Sequence, residues 1–159
     1  MSEVSPIPEG FHTVSPHLVV NDAAAAIEFY RQAFGAFELF RMAAPDGRMI
    51  MHAELQIGES RIMLCDEMPG NEHYRAPKSL GGTSVTLHYW TDDADVAYQR
   101  AVDAGAEPTM PLMDAFWGDR YGKVTDPFGH QWAIATHIKD LMPAEIMAGM
   151  AKAFPQTKE

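Results

Sequence analysis

The feature that most restricts how this sequence can fold is an internal repeat. From Asp22 to Ala36 a capping carboxylate precedes an alanine-rich segment that closes on Gly35-Ala36. Ile27, Tyr30, Arg31 and Phe34 recur at i, i+3, i+4 and i+7, which predicts a helix with one packed face. Asp92 to Ala106 repeats the plan 70 residues later, with thirteen positions from Asp to Gly in both copies and the same Gly-Ala ending. The flanks repeat as well. Thr13 to Val20 and Thr83 to Thr91 read as strands before the helices. Three strand-like runs follow each helix, about Phe37–Met42, Met49–Ile57 and Arg61–Cys65, then Glu107–Ala115, Tyr121–Thr125 and Gln131–His137. Pro45-Asp46-Gly47, Gly58-Glu59-Ser60 and Asp126-Pro127-Phe128-Gly129 supply turns between them. The expectation is an α+β fold in one domain over 1–159, with two tandem βαβββ modules forming a paired-sheet cup. Module 1 covers about 11–67 and module 2 about 83–138, joined by a Gly- and Pro-containing linker over 68–82. Pro143 to Phe154 adds a C-terminal helix, with Ile146, Met147, Met150 and Phe154 on one face to dock on its own sheet or on a dimer mate.

A small sheet carrying one helix buries only one of its faces, so the other is either covered by the partner module or walls a cavity. Period-2 alternation sorts the residues. Val14, Pro16, Leu18 and Val20 suit the helix side of the first strand, leaving Ser15, His17 and Val19 inward. In the matching strand Val85, Leu87 and Tyr89 go to the helix, and Thr86, His88 and Trp90 go inward. Ile50, His52, Glu54 and Gln56 lie opposite the apolar set Met51, Ala53, Leu55 and Ile57. In the last strand Trp132 and Ile134 pack outward, with Gln131, Ala133, Ala135 and His137 inward. A face buried for stability alone would be mostly aliphatic. This one mixes polar and aromatic residues, which points to a ligand pocket.

Composition excludes other classes. The net charge is −10, from 22 acidic against 12 basic residues, and no basic stretch suits nucleic acid. No run of about twenty apolar residues is present to span a bilayer, and Met1 to Gly10 is neither signal peptide nor anchor. The expected location is cytoplasmic. Cys65 is the only cysteine, and within Ile62-Met63-Leu64-Cys65 it reads as a small core residue more readily than as a nucleophile.

Several stretches resemble the vicinal oxygen chelate superfamily of glyoxalases, bleomycin resistance proteins and extradiol dioxygenases. They are Val19-Val20-Asn21-Asp22 leading into Ala26-Ile27-Glu28-Phe29-Tyr30, then Phe34-Gly35-Ala36, and Asp126-Pro127-Phe128-Gly129. Met51-His52-Ala53-Glu54-Leu55, Phe116 to Gly122 and Ala135-Thr136-His137 are similar to its PhnB-like branch, and the likeness covers about 11–140. The resemblance implies a cup between modules, frequent homodimers and, in metal-dependent members, His, Glu or Gln ligands at one inward position on the first and last strand of each module. Those positions fall here on Ser15, Met63, Thr86 and Ala133, none a suitable divalent-metal ligand. No cofactor is therefore expected.

His52 and Glu54 are the candidate catalytic pair, with His17, His88, Trp90, Trp117, Arg120 and Tyr121 as candidate ligand contacts. Three readings stay open for the histidines: a shifted metal site, a general base polarised by Glu54, or pocket-lining groups bonded to each other and to water. In Phe116 to Tyr121 the aromatics offer flat contact area and Arg120 a fork for an anion, or the segment is a hairpin closed by an Asp119–Arg120 or neighbouring ion pair. His12, His73 and His130 are expected to be solvated. The functional expectation is a protein binding a small organic molecule in its cup without a metal. The alternative is a glyoxalase-like enzyme using His/Glu acid–base chemistry or a shifted divalent ion.

Overall fold

The computed structural model describes residues 4–155. The first half contains β1 (His17–Val20), α1 (Ala23–Phe34), β2 (Phe37–Ala43), β3 (Ile50–Ile57) and β4 (Ser60–Asp66). After a short α2 (Pro77–Leu80), the second half gives β5 (Thr86–Trp90), α3 (Ala94–Asp103), β6 (Glu107–Asp114), β7 (Asp119–Thr125) and β8 (Gln131–His137), and α4 (Pro143–Ala153) is the last element among the described residues. The two sheets have the orders β1-β4-β3-β2 and β5-β8-β7-β6, with parallel pairing only between the first and last strand of each module. This is the expected α+β arrangement of two βαβββ modules with a C-terminal helix.

The repeat extends to the capping chemistry. Asp22 and Asp93 each accept from the backbone N–H three residues on, satisfying an otherwise orphaned donor at the start of α1 and α3. The last strand of each module then holds its helix. Asp66 Oδ1 accepts from Ala23 N at 2.7 Å, and Thr136 Oγ1 accepts from Ala94 N at 2.8 Å. Gly35 closes α1 in the left-handed region (φ 66°), which a side chain would strain.

A single core lies between the sheets. Leu18, Val20, Leu55 and Leu64 from the first sheet join one cluster with Val124, Trp132 and Ile134 from the second, and α1 and α3 pack between them. Because α1 meets both sheets, it buries seven residues, with Phe29 on its second face. The single packed face expected for it was too narrow, and Arg31 lies outside, paired with Glu28. α3 buries only Ala94, Ala97 and Ala101. The halves meet in an aromatic cluster: Phe34 stands 4.4 Å from Trp132 and 5.2 Å from Tyr89 between centroids, and Tyr30 stands 5.5 Å from Trp132. At its centre Asp126, 3% exposed, accepts from Tyr30 Oη (2.7 Å), Trp132 Nε1 (2.9 Å) and the N–H groups of Phe128 and His130 (2.9 Å each). Burial, then Asp126, pushes the Tyr30 hydroxyl well above its ordinary pKa, so it remains a donor.

Some local expectations are corrected. β1 and β5 are shorter than expected, so Val14 (85% exposed) and Val85 (62%) precede them and stay outside the core. A register shift at Ala43 turns Ile50 into the core. His130 is half-buried, its ring Nε2 3.1 Å from the Val19 carbonyl, because its turn packs on module 1. No residue of α4 is buried; it rests on Phe116 through Gly149, where a Cβ would stand 2.9 Å from the Phe116 Cβ.

Removing the Tyr30 hydroxyl should cost about 1.5–3 kcal/mol, as for a hydrogen bond to a charged group. Urea unfolding of Tyr30→Phe would show it as a lower midpoint at unchanged slope. A loss below ~0.5 kcal/mol, the scatter of ordinary surface substitutions, would mean that Asp126 does not tie the modules together.

Candidate functional site

Helices cover one face of each sheet, and those faces turn toward each other. The opposite, inner faces are therefore turned apart, and among the described residues no hydrogen bond or ring contact joins them. Each is half of a cup.

On the first sheet β1 brings His17, β3 brings His52 and Glu54, and β4 brings Arg61 and Met63. The rings of His17 and His52 are 5.8 Å apart at 90°, and His52 Nε2 stands 3.4 Å from Glu54 Oε1. Phe40 from β2 completes the cluster, 6.3 Å from His52. Residues of the segment from Pro6 to Ser15 border a shallow, open hollow of about 570 Å³ together with Glu54 and Met63. Burial, then the neighbouring His52, lowers the His17 pKa and favours the neutral ring.

The second sheet gathers aromatics. His88 packs at a tilt against Trp90 (4.4 Å between centroids, 35° between planes) and stands 5.9 Å from Tyr121, which meets Trp117 edge-on at 5.1 Å. Trp90 is 55% exposed. Burial lowers the His88 pKa against the pull of Asp119, again favouring neutral imidazole. Arg120 is not with them. It alternates to the helix side of β7, where its guanidinium forks onto Asp95 of α3 (2.7 and 2.9 Å) and reaches Asp114. The hairpin is thus closed by neighbouring ion pairs. Four of the six expected ligand contacts share this wall; His17 stands on the other, with His52 and Glu54.

The strand register revises the positions compared with metal-dependent relatives. His17 pairs with Met63 and His88 with Ala133, whereas Thr86 pairs with Gln131 and Ser15 precedes β1. The first-strand positions are therefore His17 and His88, two residues beyond the expected ones; the offset lies in the parallel register between first and last strand, which counting back from the helices does not see. Each module then offers one imidazole beside a thioether or a methyl group. No cluster of three or more His, Cys, Asp or Glu forms among the described residues. These donors do not fit a site with two ligands from each module. Cys65 is fully buried, and burial, then Asp66, raises its thiol pKa, as suits a core residue.

Three inward residues escaped the sequence reading. Arg61 shares the inward parity of Met63 on β4, and Lys123 Nζ reaches Thr86 Oγ1 at 3.3 Å. Asp119, 5% exposed, accepts from His137 Nδ1 at 2.8 Å, while His137 Nε2 donates to Asp140 at 3.0 Å. Alternation alone signals the first two; the last needs the fold.

The comparisons with known proteins now bear on this geometry. Residues 10–134 match the model of the Glyoxalase/Bleomycin resistance protein/Dioxygenase superfamily. The chain belongs to this superfamily. The uncharacterized protein Rv0887c of Mycobacterium tuberculosis is 48% identical over 141 residues, 87% of this chain and 82% of its own. The X-ray structure of the Arabidopsis thaliana At5g48480 product superposes with a TM-score of 0.62 at 32% identity, over 79% of this chain and 98% of that one. TioX from Micromonospora sp. ML1 gives 0.63 at 29%, over 80% and 99%. No helix among the described residues is long and apolar enough to cross a membrane.

An imidazole that donates through both nitrogens to carboxylates is an imidazolium, and the bonds to Asp140, then Asp119, raise the His137 pKa. The sign follows: a raised folded-state pKa adds stability below the unfolded value, and this is lost as pH rises through the folded one. An NMR titration should place His137 above the ordinary histidine value, and Asp140→Asn should lower it. A His137 value at or below the ordinary one would refute the bridge.

Proposed function

We propose that this protein binds a small organic molecule with aromatic character against the His88, Trp90, Trp117 and Tyr121 wall, without the metal used by other superfamily members. The observation that carries this reading is the Trp90 ring, packed against a neutral His88 and left more than half exposed by the described residues. A flat, rigid ring offers contact area at little cost in conformational entropy, and such a wall recognises shape before charge. The superfamily's bleomycin resistance members are the functional relatives this reading favours, within the PhnB-like branch. The lone buried cysteine suits a cytoplasmic location.

The working unit is a homodimer. One inner face exposes Phe37 (70%), Phe40 (49%) and Met42 (49%), the other Trp90 and Met113 (41%), which is much apolar surface for a monomer. A two-fold axis setting the first face of one copy against the second face of another covers both at once, and encloses His17, His52 and Glu54 with the aromatic wall.

A second reading rests on that first face. His52 beside Glu54, with neutral His17 next to it, is a base and its orienting carboxylate in an arrangement that tightens when substrate binds. Glyoxalase-type isomerisation of a thiol–methylglyoxal adduct, lost in both His52→Ala and Glu54→Gln, would establish it.

A thermal-shift screen of aromatic compounds tests the first reading. A ligand at a hundred times its Kd adds about 2.7 kcal/mol, worth roughly 5–10 °C in a domain of this size. Trp90→Ala should abolish the shift while leaving the circular dichroism unchanged. A panel in which no compound shifts the melting temperature, or in which Trp90→Ala responds as the parent does, would sink the proposal. Light scattering on the same samples should give twice the chain mass, and the chain mass for Phe40→Glu.

A further inference from the structure

The segment leading into β1 and the β3–β4 turn face the edge strand β5 across a groove of about 370 Å³, toward the small end of ligand sites. Ser15, Ser60 and Arg61 line one side of it, and Thr86, His88 and Trp90 the other. It is built within one chain, and joins the first module to the aromatic wall of the second.

Arg61 sets this groove apart. The chain has seven arginines. Arg31, Arg41, Arg48, Arg75 and Arg120 each pair with a carboxylate, and Arg100 donates to the Ala33 carbonyl. Among the described residues Arg61 does neither, and its Nε is buried with no acceptor. Shortage of partners does not explain this, since acids outnumber bases by 22 to 12. Glu59 also lines the groove, is exposed, and forms no ion pair with it. The side chain is nonetheless held in place. The Phe11 ring lies under the guanidinium, 5.2 Å from Cζ to the centroid. Gly10, at φ 80°, leaves the space it occupies, because a Cβ there would stand 2.5 Å from Nε. A buried donor without an acceptor costs stability in the empty protein, so a fixed, unpaired guanidinium beside a cavity is organised for an anion that comes from outside.

We propose that this groove binds a planar organic monoanion, one or two rings bearing a carboxylate, with the carboxylate on Arg61 and the ring against Trp90 and His88. The inference rests on the reading of the Trp90 wall as a binding surface and adds the charge of the ligand. A planar fork matches a carboxylate with two parallel hydrogen bonds. Arg61 is the only cation among the residues lining the groove, and Glu59 lies there too, so the fork can match one carboxylate, whereas a phosphonate dianion would leave a second charge uncompensated near Glu59. An acidic chain that attracts cations at long range thus selects an anion at short range.

1-Naphthoate, 1-naphthamide and phenylphosphonate are the probes, followed by calorimetry and tryptophan fluorescence on the full chain. 1-Naphthoate should bind once per chain and change the tryptophan emission, with 1-naphthamide and phenylphosphonate at least tenfold weaker. Arg61→Gln should weaken naphthoate roughly ten- to a hundredfold, the range for a charge-assisted bond, and leave naphthamide unchanged; Arg61→Lys should keep part of the preference. Equal affinity for naphthoate and naphthamide overturns the inference without any variant. So does an Arg61→Gln protein that binds naphthoate as the parent does, or one that dissociates a dimer, which would assign Arg61 to a second copy. Neutral aromatics that bind through Trp90 with no charge preference refute the anion site alone, whereas failure of every aromatic refutes the Trp90 reading too.

Discussion

A carboxylate buried between two halves of a duplicated chain is the interaction on which the rest of this structure depends. Burying an ionised group is costly unless every lone pair finds a donor. Asp126 meets four donors, two from its own turn, one from the indole of β8 and one from a helix 96 residues earlier. The aromatic rings around it pack the modules together, but such contacts are non-directional and would tolerate sliding. The Tyr30 hydroxyl does not, since its bond has a direction and a length. It sets how α1 sits on the second sheet, and hence how one module is placed on the other.

That placement decides what the inner faces can be. With the helices inside, the polar and aromatic residues of each sheet lie on the outer surfaces, and the two modules face each other across the groove between the segment before β1 and strand β5. His17 and His88 occupy matching register positions, yet their surroundings have diverged: carboxylate and imidazole around one, indole and phenol around the other. Two modules of the same topology thus carry walls of different chemistry, one lined by imidazoles and a carboxylate and the other by aromatic rings.

Much of this was legible in the sequence because short-range rules carry it. The helix repeat, the strand order and the inward parity of His17, His52, Glu54, His88 and Trp90 follow from periods of 3.6 and 2, which sequence records directly. Cys65 as a core residue follows from its neighbours. What was not legible depends on distant contacts. Phe29 rather than Arg31 is buried because a second sheet lies over α1. His130 is sheltered because its turn packs on Val19. The parallel register that pairs His17 with Met63 is set across 46 positions by strands that are not consecutive, so counting from the helix missed it. Arg120 is separable from Tyr121 by parity only because β7 begins at Asp119, two residues before the strand start that the sequence suggested.

The shared helix layer has a mechanical corollary. Both walls are mounted on one slab whose thickness is set by the side chains of α1 and α3. An enlarged residue at Ala26, Ala33, Ala97 or Ala101, all at most 2% exposed, has no empty space to enter and must spread the slab. The two walls would then move outward together, in opposite directions, and the groove between their edges would widen with them. Small residues on the inner helices therefore act as the gauge of a gap they do not line.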